Sequence, residues 1–344
     1  MQRTRGINAA LLSALFLGLA PIFGKQAINA GMAGLGVVAF RTFFAAFLLF
    51  LIILIFQRRY LYIYPVGLIG CLLAGAINGI GSLFYYTALG RLDAGVGHML
   101  YSFYPLFVAF WLFLDHERPS RLTLIRLIVA LPAVFLLVQV GNGTIDLLGV
   151  GFMLVAAALY ALHLPINQRV LYEIPAQTVT LYTLIAMTAI VVPAYFFSGA
   201  SASPPATLNF LWPAIGLTVV TFLSRITLFL GIKNLGSIQT ALLGLGELLI
   251  TVFLAQLWLG EKLSAAQWLG AALLGVSIFL VAWEKPKPPS GGRSGWFSWL
   301  RPAVSLPIRG GLPYHKDEVL EQLAGEATAQ EADFVASPSE LNGD

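Results

Sequence analysis

Long apolar runs follow one another along the chain with almost no polar alternation inside them. Bounded by Gly, Pro or charge, they fall at 7–28, 34–56, 65–88, 94–114, 122–140, 147–167, 177–197, 211–232, 237–258 and 265–283. Each approaches the ~20 residues that an α-helix needs to cross a bilayer's hydrocarbon core. The pattern therefore predicts ten membrane-spanning helices and an all-α integral membrane fold. After Trp283 the character changes to EKPKPPSGGRSG, then WFSWLRP, then an acidic Ala/Ser-rich stretch containing KDEVLEQLAGEA. That composition predicts a disordered C-terminal tail over 285–344, with one short helix near 316–325. Trp296, Phe297, Trp299 and Leu300, close to Arg293 and Arg301, suit a membrane surface; a fully solvated tail is equally open.

Composition agrees. Of 344 residues, 58% are hydrophobic and 10% charged, against about 25% charged in soluble domains. The lone cysteine, Cys71, and four scattered histidines exclude a disulfide framework and a cysteine metal site, and no cofactor is expected. The formal charge of +4 divides into +7 over residues 1–283 and −3 over residues 284–344. With a cytoplasmic N-terminus, Arg3, Arg5, Arg58, Arg59, Arg118, Arg121, Arg169 and Lys233 all fall inside, and only Arg91 and Lys262 outside. This asymmetry predicts both termini in the cytoplasm and an inner or plasma membrane location, and it explains the basic excess without a nucleic-acid partner. Arg3 and Arg5 before an apolar run resemble a signal peptide, but no A-x-A cleavage site follows. The sequon at Asn142 and the uncharged stretch 198–209 are expected outside.

The chain also repeats itself. At an offset of 144 residues Pro21-Ile22 faces Pro165-Ile166 and Lys25 faces Arg169; shifted by one, YYTALGRLDAG (85–95) faces LFLGIKNLGSI (228–238), and DHERPS (115–120) faces LGEKLS (259–264). Two five-helix units follow, 1–141 and 142–284, with the tail from 285. Because five is odd, the second unit enters the membrane in the opposite sense, which makes the units inverted repeats suited to alternating access. A duplicated scaffold that transports nothing is the competing reading.

The order of PIFGKQAI, VVAFRTFFAA, FYYTALGRLDAGVGHMLYSFYPLFVAFWLFLDHERPS and FLGIKNLGSIQTALLGLGELLITVFLAQLWLGEKLSAAQWLGAALLGVSIFLV over residues 7–283 resembles the drug/metabolite transporter superfamily, EamA-type. The resemblance implies ten helices, a central cavity between the halves, and the fifth and tenth helices at the periphery. It also implies a Glu-Pro pair in the ninth helix. Here Glu247 is followed by Leu248, so no helix break is expected there.

Charges inside a span cost at least about 2.5–3.5 kcal/mol unless paired or placed in a wet cavity. Arg225 and Glu247 lie about 10 and 16 Å from the inner surface at ~1.5 Å per residue. They are expected to form an ion pair facing the cavity, serving either as a gate or as a static brace. Lys25, Arg41 and His98 occupy the outer half, where Arg41 has two readings: favouring an anionic group on the substrate, or bonding neighbouring helices. Asn78, Tyr85 and Tyr86 with His98, Tyr101 and Tyr104 form a polar aromatic set suited to a pocket. Gln239, Thr240 and Thr251 are weaker candidates from the second half. Tyr60, Tyr62 and Tyr64 read as interface anchors, and Gly75–Gly79 as a GxxxG packing site.

No enzyme motif survives inspection. GLAPIFGK has one residue too many for a P-loop, and neither HExxH nor GxSxG occurs, so a non-enzymatic protein is expected. The residues predict a secondary transporter, gradient-driven or facilitative, moving a small metabolite, with export one of the open directions. Glu247, Arg225, His98, Tyr101, Asn78, Tyr85, Arg41 and Lys25 are the expected path or gating residues. The alternatives are a non-transporting scaffold or partner subunit and, more narrowly, a sugar-phosphate or nucleotide-sugar exchanger. Expected partners are membrane lipids and a small-molecule substrate, with a proton or other coupling ion and a homodimer left open.

Overall fold

The computed structural model describes residues 2–89, 91–92, 97, 100–115, 119–137, 146–171, 173–199, 208–250, 253 and 264–280. His98, Thr251, the sequon at Asn142 and the tail from 285 lie outside the described residues, as do the side chains of Pro21 and Lys25. Among the described residues there is no strand. The helices are α1 (Gln2–Asn29), α2 (Gly34–Phe56), α3 (Pro65–Leu89), α4 (Tyr104–Leu114), α5 (Arg121–Leu137), α6 (Leu147–Leu171), α7 (Ala176–Phe197), α8 (Leu211–Leu235), α9 (Ser237–Gly244) and α10 (Ala265–Phe279). Six of them, α1, α2, α3, α6, α7 and α8, are long and apolar enough to cross a membrane.

Side-chain size, more than polarity, sorts the faces of these helices. On α2 the buried positions are Gly36, Val37, Val38, Ala39, Thr42, Ala45, Ala46, Leu49 and Ile53, while Phe43, Phe44, Phe47, Phe50, Ile55 and Phe56 point outward. Lipid tails are as apolar as Leu or Phe, so burying a large side chain gains little over lipid; close approach of small residues gains dispersion contacts instead. Hydroxyls inside the spans turn back on their own helices: Thr180, Thr188, Thr218 and Thr227 donate to the carbonyl four residues earlier at 2.6–2.8 Å. Two helix starts in the connections carry side-chain caps. Asp146 Oδ1 accepts the Leu148 amide (2.9 Å) ahead of α6, and that amide, with Arg91, holds the Asp146 carboxyl below its ordinary value. Ser264 and Gln267 form a reciprocal capping box at α10.

The contacts fix the helix directions. Against α8, α1 runs antiparallel: Gly6 meets Asn234 and Leu235, Ser13 Oγ donates to the Ser224 carbonyl (3.1 Å), and Gly216 meets Phe23. In the same manner α3 runs antiparallel to α6, with Ala74 beside Ile166, Gly81 against Leu159, and Leu92 against Gly149. Alongside α7, α3 runs parallel: Gly67 meets Ile174, Gly75 meets Thr183, and Gly79 meets Ile190. α2 is antiparallel to α7, with Gly36 on Tyr195 and Ile53 clustered with Leu181 and Leu184. It is parallel to α8, where Phe40 lies 6.4 Å from Phe210 at one end and Ile226 joins the Ile53 cluster at the other. Thus α1, α3 and α7 point one way, and α2, α6 and α8 the other. The 144-residue offset pairs α1 with α6, α2 with α7 and α3 with α8, and every pair is reversed.

α5 and α10 pack chiefly on each other, at the periphery. Their seam is polar: Arg126 Nε donates to the Ser277 carbonyl (2.9 Å), and Ser277 Oγ donates to the Arg126 carbonyl (3.0 Å). Two expectations change. Tyr60, read as an interface anchor, is buried where the short 3₁₀ turn Arg58–Leu61 docks on α7, its carbonyl accepting Thr178 Oγ1 at 2.9 Å. The expected continuous spans at 94–114 and 237–258 are interrupted: the chain turns at Ser102–Phe103 and again at Leu245.

The GxxxG of α3 is a packing site, because a Cβ on Gly75 would overlap the Thr183 carbonyl oxygen, a backbone atom with no room to yield. Gly75→Ala is expected to cost about 1–3 kcal/mol and lower the thermal midpoint in detergent. Gly151→Ala, where nothing stands within 4 Å of the new methyl, is expected to leave the midpoint unchanged or raise it.

Candidate functional site

A cavity of about 580 Å³ lies among the helices. Its wall takes Leu17, Ala20, Gly24 and Ile28 from α1, Arg41 from α2, and Asn78, Gly81, Ser82, Tyr85, Tyr86 and Leu89 from α3. Tyr101 and Tyr104 come from the two sides of the Ser102–Phe103 turn, Tyr160 from α6, Leu217 and Arg225 from α8, and Glu247 from just beyond the Leu245 turn. Six of the eight expected path residues, Glu247, Arg225, Tyr101, Asn78, Tyr85 and Arg41, therefore share one cavity. Nothing is placed for His98 or the Lys25 side chain.

Tyrosines make the aromatic wall continuous. Tyr85 packs on Tyr86 and Tyr101 with ring centroids 5.3 and 4.9 Å apart; Tyr101 packs on Tyr160 at 5.4 Å, and Tyr104 on Tyr160 edge-on at 5.1 Å. Tyr160 was not anticipated, since a tyrosine in the middle of an apolar run carries no local sign of its neighbours. His163, one turn further along α6, is fully buried with its ring 4.8 Å from Tyr160 and its Nδ1 on the Tyr160 carbonyl oxygen.

The charged groups are arranged differently from expectation. Among the described residues the ion pairs are Arg91–Asp146 and Arg169–Asp115; the direct pair expected between Arg225 and Glu247 is not formed. The Arg225 guanidinium carbon stands 6.0 Å from the Tyr160 ring centroid, at the edge of cation–π range, and its Nη1 has no hydrogen-bond partner. Arg41 Nε likewise has none. Asn78 Nδ2 donates to Met187 Sδ (3.4 Å). Gln239 turns away from the cavity to accept from Arg126 Nη1, and Thr240 donates to the Gly236 carbonyl (2.8 Å).

The cavity is asymmetric from end to end. Gly24, Ile28 and Leu89 near the C-termini of α1 and α3, with Arg41 and Leu217 near the N-termini of α2 and α8, carry its lining toward one end. Toward the opposite end, polar contacts join the described helices. Asp115 and Arg169, 1% and 6% exposed, pair at the C-termini of α4 and α6. Gln168 Oε1 accepts the Ser237 amide (2.6 Å) at the start of α9, beside Gly236 at φ 90°.

Comparison with known proteins decides the family. The model of the EamA-like transporter family matches twice, over residues 4–139 and 147–283. The chain belongs to the EamA-like transporter family. The chain is thus a multi-pass membrane protein and a membrane transporter, and the double match coincides with the 144-residue repeat. It is 24% identical over 222 residues, 62% of this chain and 70% of the relative, to "Uncharacterized transporter YcbK" of Bacillus subtilis (strain 168). A protein of known crystal structure superposes with a TM-score of 0.69 over 82% of this chain and 97% of its own at 14% identity, a likeness of fold alone.

With Leu248 after Glu247, nothing in the sequence predicts an interruption in the ninth span, and a side chain from the first half supplies one. In a regular helix the Ala241 carbonyl would accept the Leu245 amide, four residues on. Here Tyr104 Oη donates to it instead (2.8 Å). A side chain inserted into the hydrogen-bond ladder is one of the few causes of a local interruption in a helix, and Leu245 keeps helical dihedrals through it. Gly244 makes room, since a Cβ there would lie 2.5 Å from Tyr104 Oη. The fourth span breaks at the matching point, Ser102 against Leu245 at an offset of 143, because Pro105 in the first turn of α4 has no amide hydrogen to donate to Tyr101. Tyr104→Phe is expected to return the Ala241 carbonyl to the Leu245 amide. Hydrogen exchange at Leu245 should slow at least tenfold while stability changes by no more than about 1 kcal/mol; unchanged exchange there would show that the break has another cause.

Proposed function

We propose that the protein is a secondary transporter that carries a small metabolite by alternating access, the five-helix units 1–141 and 142–284 rocking about the central cavity. The observation that carries this reading is the cavity's position: its wall draws on both units, its lining runs to one end, and its other end is held by a buried ion pair between them. Asp115 belongs to the first unit and Arg169 to the second, so the pair is a latch that must part before the cavity opens at that end. A buried pair of this kind is costly to break by removing one partner, of the order of 3–5 kcal/mol, which suits a contact that sets the balance between two states. With the positive-inside assignment, the latched end faces the cytoplasm and the resting form opens outward.

Inverted units supply the other state, because each can adopt the conformation of its counterpart. The aromatic wall and the arginines give the cavity both stacking surface and directed donors, the usual composition of a small-molecule site. A sugar-phosphate or nucleotide-sugar exchanger stays a narrower form of the same reading; the scaffold reading leaves the cavity unused.

The test uses the single native cysteine, Cys71, which is buried. A reporter introduced as Ser82→Cys on the cavity wall is expected to react with a membrane-impermeant maleimide from one side of sealed vesicles. Adding Asp115→Asn is expected to lower that labelling several-fold and to expose the reporter from the other side. Labelling from both sides at once in the parent, or no change with Asp115→Asn, contradicts alternating access through this latch.

A further inference from the structure

We propose that the cavity receives its cargo by an anionic group, a carboxylate or a phosphate, set between Arg41 and Arg225, with the cargo's organic body against the tyrosine wall. The proposal rests on the transport reading and names the chemistry of what is carried.

Arg41, Arg126, Arg169 and Arg225 all lie inside helices, and the protein treats them in two ways. Arg126, fully buried, is anchored to the Ser277 carbonyl and the Gln239 side chain; Arg169 is held by Asp115. Arg225 is equally withdrawn, 8% exposed, yet its Nη1 meets no acceptor, and the same is true of Arg41 Nε. Both residues line the cavity. A buried guanidinium donor without an acceptor is destabilising, and two positive groups facing one cavity repel each other. A single anion between them removes both penalties, offering acceptor oxygens to each fork and a negative charge between two positive ones.

Charge and shape narrow the class. Among the described residues the charged groups of the wall are Arg41, Arg225 and Glu247, a formal excess of positive charge that an anion offsets. The arginines come from opposite units, so one anion would bridge the parts that move. Tyr85, Tyr101 and Tyr160, with centroids about 5 Å apart, offer ring faces and edges to a flat or apolar body.

The experiment compares four probes of one shape on the full-length purified protein: phenylacetate, phenyl phosphate, phenylacetamide and phenethylammonium, by thermal shift and calorimetry. One or both anions are expected to bind and raise the melting temperature, and the two anion arms separate carboxylate from phosphate recognition. The neutral and cationic probes are expected to bind at least tenfold more weakly. Arg225→Gln and Arg41→Gln are each expected to weaken anion binding tenfold or more; Arg225→Lys, which keeps the charge and loses the fork, covers a failure of Arg225→Gln to fold. Binding of neither anion, equal binding of the amide or ammonium, or anion binding unchanged in the arginine variants overturns the proposal. Flux into vesicles separates this from the transport reading: bound anion without flux counts against transport alone, and flux of neutral or cationic solutes untouched by the arginine variants counts against the anion site alone.

Discussion

Inside a bilayer no water is available to satisfy a polar group, so every donor and acceptor must find its partner in the protein or in a cavity. The whole architecture follows from that constraint. Backbones stay helical, threonine hydroxyls turn back on their own carbonyls, and the seam between α5 and α10 closes with two reciprocal bonds between Arg126 and Ser277. The ladder is broken in the fourth and ninth spans, at Ser102–Phe103 and Leu245, and both breaks adjoin residues of the cavity wall. In the second break the displaced carbonyl is not left empty: Tyr104 from the first unit fills it.

The same constraint explains why small residues do the packing. With no hydrophobic gain from hiding large side chains from lipid, helices associate through close approach. Gly75 and Gly79 set α3 on α7, and Gly6, Gly216 and Gly231 set α1 and α8 together. The resulting contacts cross between the units. α1 of the first lies on α8 of the second, and α6 of the second lies on α3 of the first. Each repeat thus buries its small-residue faces against helices of the other rather than only against its own.

Much of this was readable from the sequence because spans, repeat and deep charges all leave local marks: run length, recurrence at a fixed offset, and an ionisable residue among apolar ones. Arg41, Arg225 and Glu247 were found by that last rule, Asn78, Tyr85 and Tyr101 as polar side chains grouped in the third and fourth spans, and all six line one cavity. What the rule lacks is direction around the helix axis. Depth brought Arg225 and Glu247 within reach of each other, but the guanidinium settles over Tyr160. Tyr160 and His163 escaped notice for the same reason, because polar residues in an apolar helix look alike whether they face lipid, packing or a cavity. The break at Leu245 was illegible for a different reason. Its cause is a hydroxyl 137 residues away, and no window around Glu247 contains it.

The link between Tyr104 and Ala241 also bears on how the two breaks relate. Proline and tyrosine are adjacent in the first unit, so the residue that opens the ninth span stands beside the one that opens the fourth. A movement that shifts α4 therefore carries the Tyr104 hydroxyl with it, and the Ala241 carbonyl must then find another donor. The Leu245 amide is the donor that helical geometry provides. Re-forming that bond would straighten the ninth span and rotate Glu247, two residues further on, relative to the cavity. Asp115, at the other end of the same short α4, is held by Arg169. One element of eleven residues thus carries the Asp115–Arg169 pair at one end and the ladder insertion at the other, so in the alternating-access reading proposed above, parting that pair and resetting the cavity wall would be one mechanical event.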